Sequence, residues 1–352
     1  MASEASGLDA LARHFLNFAE RHLQAAPLYA RLSRCIARDP ELLALAAHGR
    51  AEPLPLLFLG AVRYLLLRGE DRHPLAASYA DAADGVSSTT GGDPCPDFRD
   101  FCRRHRDALR DLIATRRVQT NEVRRCTALL PAFARVAERA GGRPLALVEI
   151  GASAGLNLLW DRYRYDYGSG HVWGDPASPV VLTCTLRGGG GVPPLPVPFP
   201  AIATRVGIDL HPVDVRDPDA ALWLRALIWP EHADRADRLD RALHLARQEP
   251  PAVVAGDGLA LLPAVVSGLP AGVVPCVFHS YTVNQFPPEA RERFTAILGD
   301  LGRRRDHLFD VSLEWLHTEH PALELAAWEN GVETRTPLAR CDVHGGWLEW
   351  TA

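Results

Sequence analysis

The apolar run from Pro144 to Ile150 stops at a loop with glycines at 151 and 155, and this junction constrains the fold more than any other stretch. A short apolar run without polar alternation reads as a strand buried on both faces, as strands are in a mostly parallel sheet. Glycines directly after such a strand let the backbone turn and let a ligand approach closely. In open parallel sheets, ligands bind beyond the carboxyl ends of the strands. Glu149 lies two residues before the first glycine, at the end of a buried strand, where an unpartnered charge costs several kcal/mol.

The loop spells two motifs. Gly151-Ala152-Ser153-Ala154-Gly155 is G-x-S-x-G, the nucleophile elbow of serine hydrolases, with Ser153 as nucleophile. With Glu149 it is also acid-x-G-x-x-x-G, the first loop of many S-adenosylmethionine (SAM) enzymes. The hydrolase reading needs strands before the elbow and an upstream H-G-G-G loop. Here residues 8–140 read as helical, and His344-Gly345-Gly346 lies far downstream. The NAD fingerprint G-x-G-x-x-G fails at Ser153 and Leu156. SAM fits better, because Glu149 suits a sulfonium and an ammonium and would repel a pyrophosphate. Gly151, Ser153, Gly155 and Asn157 are then expected to hold the cofactor, with a helix over Ala154–Arg164 offering free N–H groups at its start.

Later strand ends repeat the pattern. Val206–Asp209 ends in an acid that can accept both ribose hydroxyls, and Val253–Asp257 ends in Asp257-Gly258, suited to an adenine amino group. Asp209 lies unusually far along the chain from Glu149, so residues 166–204, rich in Gly and Pro, must loop out as an insertion. Strand candidates follow at 204–210, 252–255, 273–279, 308–315, 323–329 and 337–342, with Trp347–Trp350 able to pair with the last. Helices fit at 218–248, 259–266 and 288–305. This alternation predicts a mostly parallel sheet covered on both faces, closed by an antiparallel hairpin. Upstream, helices are expected at 54–68, 98–115 and 118–140, the last bent near Pro131, with a loop at 84–97. The division expected is a helical domain over 1–140, acting as a cap, and a sheet domain over 141–352.

Composition excludes several classes. The 352 residues carry a net charge of -5 and no basic tract, so nucleic acid is not the expected partner. The seven cysteines are scattered and form no C-x-x-C pair, and no H-x-x-x-H helix or carboxylate cluster argues for metal. Leu54–Leu67 contains Arg63 and is shorter than the roughly 20 residues a bilayer span needs. The first residues lack a secretory pattern. A cytoplasmic protein acting on a small molecule, away from membranes, is the expectation. No lysine occurs, which excludes a Walker A loop, a pyridoxal-phosphate Schiff base and a lysine nucleophile.

With these landmarks the chain resembles class I SAM-dependent methyltransferases over about residues 144–352. More closely it resembles an uncharacterised bacterial family, domain of unknown function two-three-three-two. The matching residues are Thr120-Asn121-Glu122, the loop from Glu149 to Leu158, Val172-Trp173-Gly174-Asp175-Pro176, the stretch Gly207–Asp214, and the closing His344–Trp350. The resemblance implies an α/β fold with a Rossmann-like, seven-stranded methyltransferase-type sheet beside the helical domain. It also places catalytic groups at the end of the fourth strand: His279 as a general base, Tyr281 facing a cation, and Asn284 orienting substrate, with Ser280 beside the cofactor. Asn284 does not stand directly before Pro287-Pro288, so the amino-methylating pattern is not matched. Asn121 and Arg125 are placed to close over the cofactor, and Asp161 and Trp173 to flank the insertion, while Asp310, Glu314 and His317 stay ambiguous between a site and solvent. Besides methyl transfer, three readings stand: an intramolecular displacement using SAM, a ligand-binding protein without turnover, and the Ser153 hydrolase.

Overall fold

The chain divides into two units, residues 1–120 with 217–240, and residues 121–216 with 241–352. The structure, a computed structural model, describes all residues except 1, 70–71, 86–91, 190, 198–200 and 317, and for residues 2–6 the backbone alone. Part of the 84–97 loop and His317 therefore lie outside the described residues.

The first unit is helical: α1 (Ala2–Arg21), α2 (Pro27–Ala37), α3 (Pro40–Ala46), α4 (Leu54–Leu67), α5 (Leu75–Ala83), α6 (Cys95–Arg104) and α7 (Arg106–Thr115). After α8 (Cys126–Arg139), which belongs to the second unit, it is rejoined by α9 (Pro218–Ala226) and the start of α10 (Ala233–Gln248). Helix α4 is apolar on all sides and nearly every residue is buried, which makes it the central helix. Phe58 meets Phe15 and Phe98 edge-on, at 6.4 and 6.2 Å between ring centres. Gly60 lets α9 come close, since a Cβ there would stand 2.9 Å from Leu227. The carboxylate of Asp219, in the first turn of α9, takes the Tyr64 hydroxyl and pairs with Arg116.

The second unit holds the strands: β1 (Leu145–Ile150), β2 (Arg164–Asp166), β3 (Val172–Trp173), β4 (Val181–Thr183), β5 (Thr185–Leu186), β6 (Ile202–Asp209), β7 (Ala252–Ala255), β8 (Val274–Ser280), β9 (His307–Glu314), β10 (Ala322–Glu329), β11 (Val332–Cys341) and β12 (Trp347–Trp350). The main sheet has nine strands, not seven, in the order β5-β12-β11-β10-β9-β8-β1-β6-β7. The two additional strands are β12 and β5, the latter supplied by the 166–204 insertion and paired in parallel with β12. From β7 to β9 all pairings are parallel, and β10, β11 and β12 follow antiparallel. The insertion also supplies β3 and β4, which join β2 in a small sheet of order β3-β2-β4.

Helices α11 (Gly258–Ser267) and α12 (Pro288–Arg303) share a core with Val148, Ile150, Ile208 and Val277 on one face. Helix α8 packs against β9 and β10, which is why residues 121–140 join the sheet unit and not the helical one. α8 also runs through Pro131. Proline lacks the N–H that would bond Thr127, and the Tyr167 hydroxyl donates to that carbonyl instead, at 2.7 Å. The Tyr163 and Tyr165 hydroxyls likewise donate to the carbonyls of Leu156 and Trp160. Between β10 and β11 the turn is Asn330-Gly331 alone, both at positive φ (51° and 80°), as a two-residue hairpin turn requires. Most of the gap left between the expected strands at 323–329 and 337–342 is therefore strand.

Candidate functional site

Strand β1 lies between β6 and β8, and its two neighbours follow it in opposite directions across the sheet, so β1 and β8 frame the switch point. Register puts Glu149 between Gly207 and Phe278, and Ile150 between Ile208 and His279. The candidate site is built on the loops that leave these strands.

Glu149 is buried. Its Oε1 accepts from Asn157 Nδ2 at 3.0 Å, and its Oε2 has no partner among the described residues. Burial pushes its carboxyl up to about 8, against the Asn157 hydrogen bond and the Arg125 charge, with Asp209 adding to the rise. Burial therefore favours the protonated form of Glu149 at neutral pH. Asn157 Oδ1 in turn accepts from Cys126.

The loop amides are all engaged. Gly151 and Ala152 donate to the Ile208 carbonyl, Ser153 to Asp209 Oδ2 at 2.8 Å, Ala154 to Asn121 Oδ1 at 3.2 Å, and Gly155 to Ala152. The expected helix over Ala154–Arg164 is a short 3-10 segment, Leu156–Arg162, kinked at Leu159, so no α-helix starts at this loop. The amides of residues 151–155 are therefore not available to a phosphate. The glycines serve packing as well as conformation: a Cβ on Gly151 (φ 76°) would stand 2.2 Å from Thr282, and one on Gly155 (φ 69°) would meet Pro251 at 2.7 Å.

Ser153 is buried at φ 51°, and its hydroxyl accepts from Asn121 Nδ2 at 2.9 Å. Asn121 thus ties the loop down with both ends of its amide. Nothing here resembles an activated serine: the partner is an amide, and the Ala154 N–H that an oxyanion hole would use is occupied. Both oxygens of Asp209, expected to accept ribose hydroxyls, already accept a backbone N–H each. Oδ1 accepts from His211 N at 2.7 Å and Oδ2 from Ser153 N, so the carboxylate splices the β6 loop to the glycine loop. Asp257 is exposed and caps α11 through Leu259 N at 2.9 Å, with Gly258 packed under Ile150.

The β8 loop is held by a carboxylate that the sequence left ambiguous. Glu314 is buried; its Oε1 accepts from Thr282 N and Val283 N, both at 3.0 Å, and its Oε2 from Asn284 N at 3.1 Å. His279 Nδ1 sits 2.6 Å from the same Oε1, and Nε2 lies 3.6 Å from Asp310. Burial alone would lower the imidazole, but Asp310 and Glu314 outweigh it and lift His279 to about 10. His279 is a buried imidazolium that positions the loop through Glu314, packed on Phe294 at 5.3 Å, and not a free base.

Tyr281 stands at φ 57°, a conformation that costs a non-glycine residue about 1–3 kcal/mol and is retained where the surroundings impose it. The Arg125 guanidinium lies 3.9 Å over its ring and reaches Ser280 Oγ at 3.5 Å. The Tyr281 hydroxyl and Asn284 Oδ1 are buried without hydrogen-bond partners among the described residues. Arg125 is fixed from behind by the closing turn, its Nε donating to the Val343 carbonyl at 3.1 Å, while Arg124 donates to His344 and Thr127 to Gly345. Asp161 pairs with Arg205, and Trp173 stacks on Trp160 at 5.8 Å. The structure thus gathers Glu149, Ser153, Asn157, Asp209, Asn121, Ser280, Tyr281 and Asn284 around the ends of β1 and β8, and leaves Asp257 and His279 to other work.

Fold and site together define an α/β protein on a doubly wound sheet whose buried acid and strained loops meet at the switch point. The chain belongs to the family described as "Uncharacterized protein conserved in bacteria (DUF2332)", which matches residues 12–350. Comparison with curated proteins and with solved structures finds no match. Among the described residues no helix is long and apolar enough to cross a membrane, and no group of three or more His, Cys, Asp or Glu side chains could hold a metal ion.

Proposed function

We propose that this chain is a SAM-dependent enzyme, a methyltransferase acting on a small molecule. The observation that carries the reading is Glu149: a buried carboxyl at the switch point, with one oxygen unclaimed, beside a loop whose five amides are all engaged. Such a site offers a cation a carboxylate and leaves none of the five loop amides to a phosphate, which favours a sulfonium nucleoside over a dinucleotide. The Tyr281 hydroxyl and Asn284 Oδ1 supply further unclaimed polar atoms on the β8 side. Glu149, Asn157 and Ser280 would hold the cofactor, with Asp209 and Asn121 shaping the loop. The cofactor supplies an electrophilic methyl group when bound. The chain's own part is placement: in-line transfer depends on proximity more than on a strong base, consistent with a histidine that is locked between two carboxylates.

Calorimetric titration of the wild type with SAM, S-adenosylhomocysteine and NAD tests this, with Glu149→Gln and Asp209→Asn alongside. Binding of both adenosyl ligands but not NAD, with SAM weakened by Glu149→Gln and both ligands weakened by Asp209→Asn, supports it. A folded protein that ignores SAM at millimolar concentration overturns it. Formation of S-adenosylhomocysteine or methylthioadenosine then separates methyl transfer and intramolecular displacement from binding without turnover.

A further inference from the structure

The helical unit contains a second set of buried polar groups, unrelated to the sheet. Arg63 lies within α4, the central apolar helix, and its Nη1 is buried with no hydrogen-bond partner among the described residues. A guanidinium stays charged at any pH at which the protein folds, and a buried charge is normally paired. Tyr29 on α2 and Tyr79 on α5 meet edge-on at 6.1 Å, and both hydroxyls are buried and unbonded. Glu231, between α9 and α10, accepts the Leu28 N–H on Oε1 at 2.8 Å, while Oε2 is buried and unbonded. These groups lie within one another's fields: Arg63 and Glu231 both act on both tyrosines, and Arg63 and Arg31 act on Glu231. Burial raises both phenols and the Glu231 carboxyl.

Four buried polar side chains from four separate segments thus converge in an apolar core, with only the two phenols in contact with one another. Packing alone does not explain them, since apolar residues of similar volume would leave no unsatisfied groups. The unclaimed atoms carry both signs, a guanidinium nitrogen of Arg63 and a carboxylate oxygen of Glu231, while Arg31 acts on Glu231 as a second guanidinium. A ligand with separated charges of both signs would meet both.

We propose that Arg63, Tyr29, Tyr79 and Glu231 form a binding site for a free α-amino acid, its carboxylate on Arg63 and the phenols and its ammonium on Glu231. Both charged ends are needed, so neither the matching amine nor the matching deaminated acid substitutes for it.

The test is titration of the full chain with each of the twenty standard amino acids up to about 10 mM, a level that fills even a millimolar site, read by calorimetry and thermal shift. Expected is one-to-one binding of at least one of them, weakened at least about tenfold by Arg63→Gln and by Glu231→Gln, and unchanged by Glu149→Gln. The last result separates this site from the candidate SAM site, whose failure would leave this one standing. Absence of binding by every amino acid overturns the proposal and assigns the four groups to buried water. So does binding that survives both substitutions, or equal binding of the amine or the deaminated acid. Should either charge substitution prevent folding, the Tyr29→Phe/Tyr79→Phe double variant replaces it, and unchanged affinity there also overturns the proposal.

Discussion

Glu149 is an acid placed where burial opposes its charge, and its titration makes that measurable. Its carboxyl lies at about 8 in the folded chain, above its ordinary 4.5. Native protein therefore holds a proton that unfolded protein releases, and stability falls as pH rises from about 4.5 to 8. Glu149→Gln should remove this fall and stabilise the ligand-free chain at pH 8 by a few kcal/mol, at about 1.4 kcal/mol per pKa unit, read by urea unfolding at several pH values. A sulfonium favours the ionised form, so SAM binding should expel the proton. Affinity for SAM should then rise by up to about tenfold per pH unit below 8, while that for S-adenosylhomocysteine stays flat. A flat SAM profile would remove Glu149 from the cation site. His279 shifts in the same direction from a different origin. Its imidazole is raised to about 10, so the stability it confers is complete below 6.5 and is lost as pH climbs through 10. Its ring should remain protonated at pH 8 by NMR, and His279→Ala should cost about 3–5 kcal/mol by leaving two buried carboxylates uncompensated. The sequence named His279 as important, but its role depends on Asp310 and Glu314, which reach it only across paired strands.

At the scale of elements, the glycine loop shows what conformation and packing each require. Gly142 and Gly151 share a φ of 76°, yet a Cβ on Gly142 meets nothing within 4 Å while one on Gly151 collides with Thr282. Gly142→Ala should cost only the backbone strain, about 1–2 kcal/mol. Gly151→Ala should cost markedly more and weaken ligand binding as well, with thermal unfolding of the pair as the check. Strands β1, β6, β7, β8, β9 and β10 fall where the apolar runs do, although β7, at the sheet edge, is mostly exposed and not buried. The first half of β11 was not legible: its exposed Val332–Arg335 carries no alternation, and pairing there rests on backbone bonds and the Asn330-Gly331 turn. The segment after the loop differs from the expected α-helix because its apolar spacing suits either helix type, and the hydroxyls that claim its carbonyls come from Tyr163, just after the segment, and from Tyr165 in β2.

Across the whole molecule, residues near the end of the chain hold those that shape the site. The turn Val343–Gly345 receives hydrogen bonds from Arg125, Arg124 and Thr127, and Asn121 stands a few residues before them on the glycine loop. A Cβ on Gly345 would stand 2.2 Å from the Arg124 carbonyl. Gly345→Ala should therefore speed hydrogen exchange over residues 121–127 and weaken ligand binding, although Gly345 lies outside the glycine and β8 loops. Unchanged exchange there would show that the closing turn does not support the site. The sequence by itself determined the strand–loop junction at Gly151, the buried acid before it and the parallel succession of strands, because apolar runs, glycine and charge act locally and leave few alternatives. Only the tertiary structure decided that Asp209 and Asn121 brace the loop, that Glu314 grips three amides while His279 stays protonated, and that residues 121–140 join the sheet. Those roles depend on which distant groups share a hydrogen bond or a low-dielectric space, and separation along the chain does not encode that.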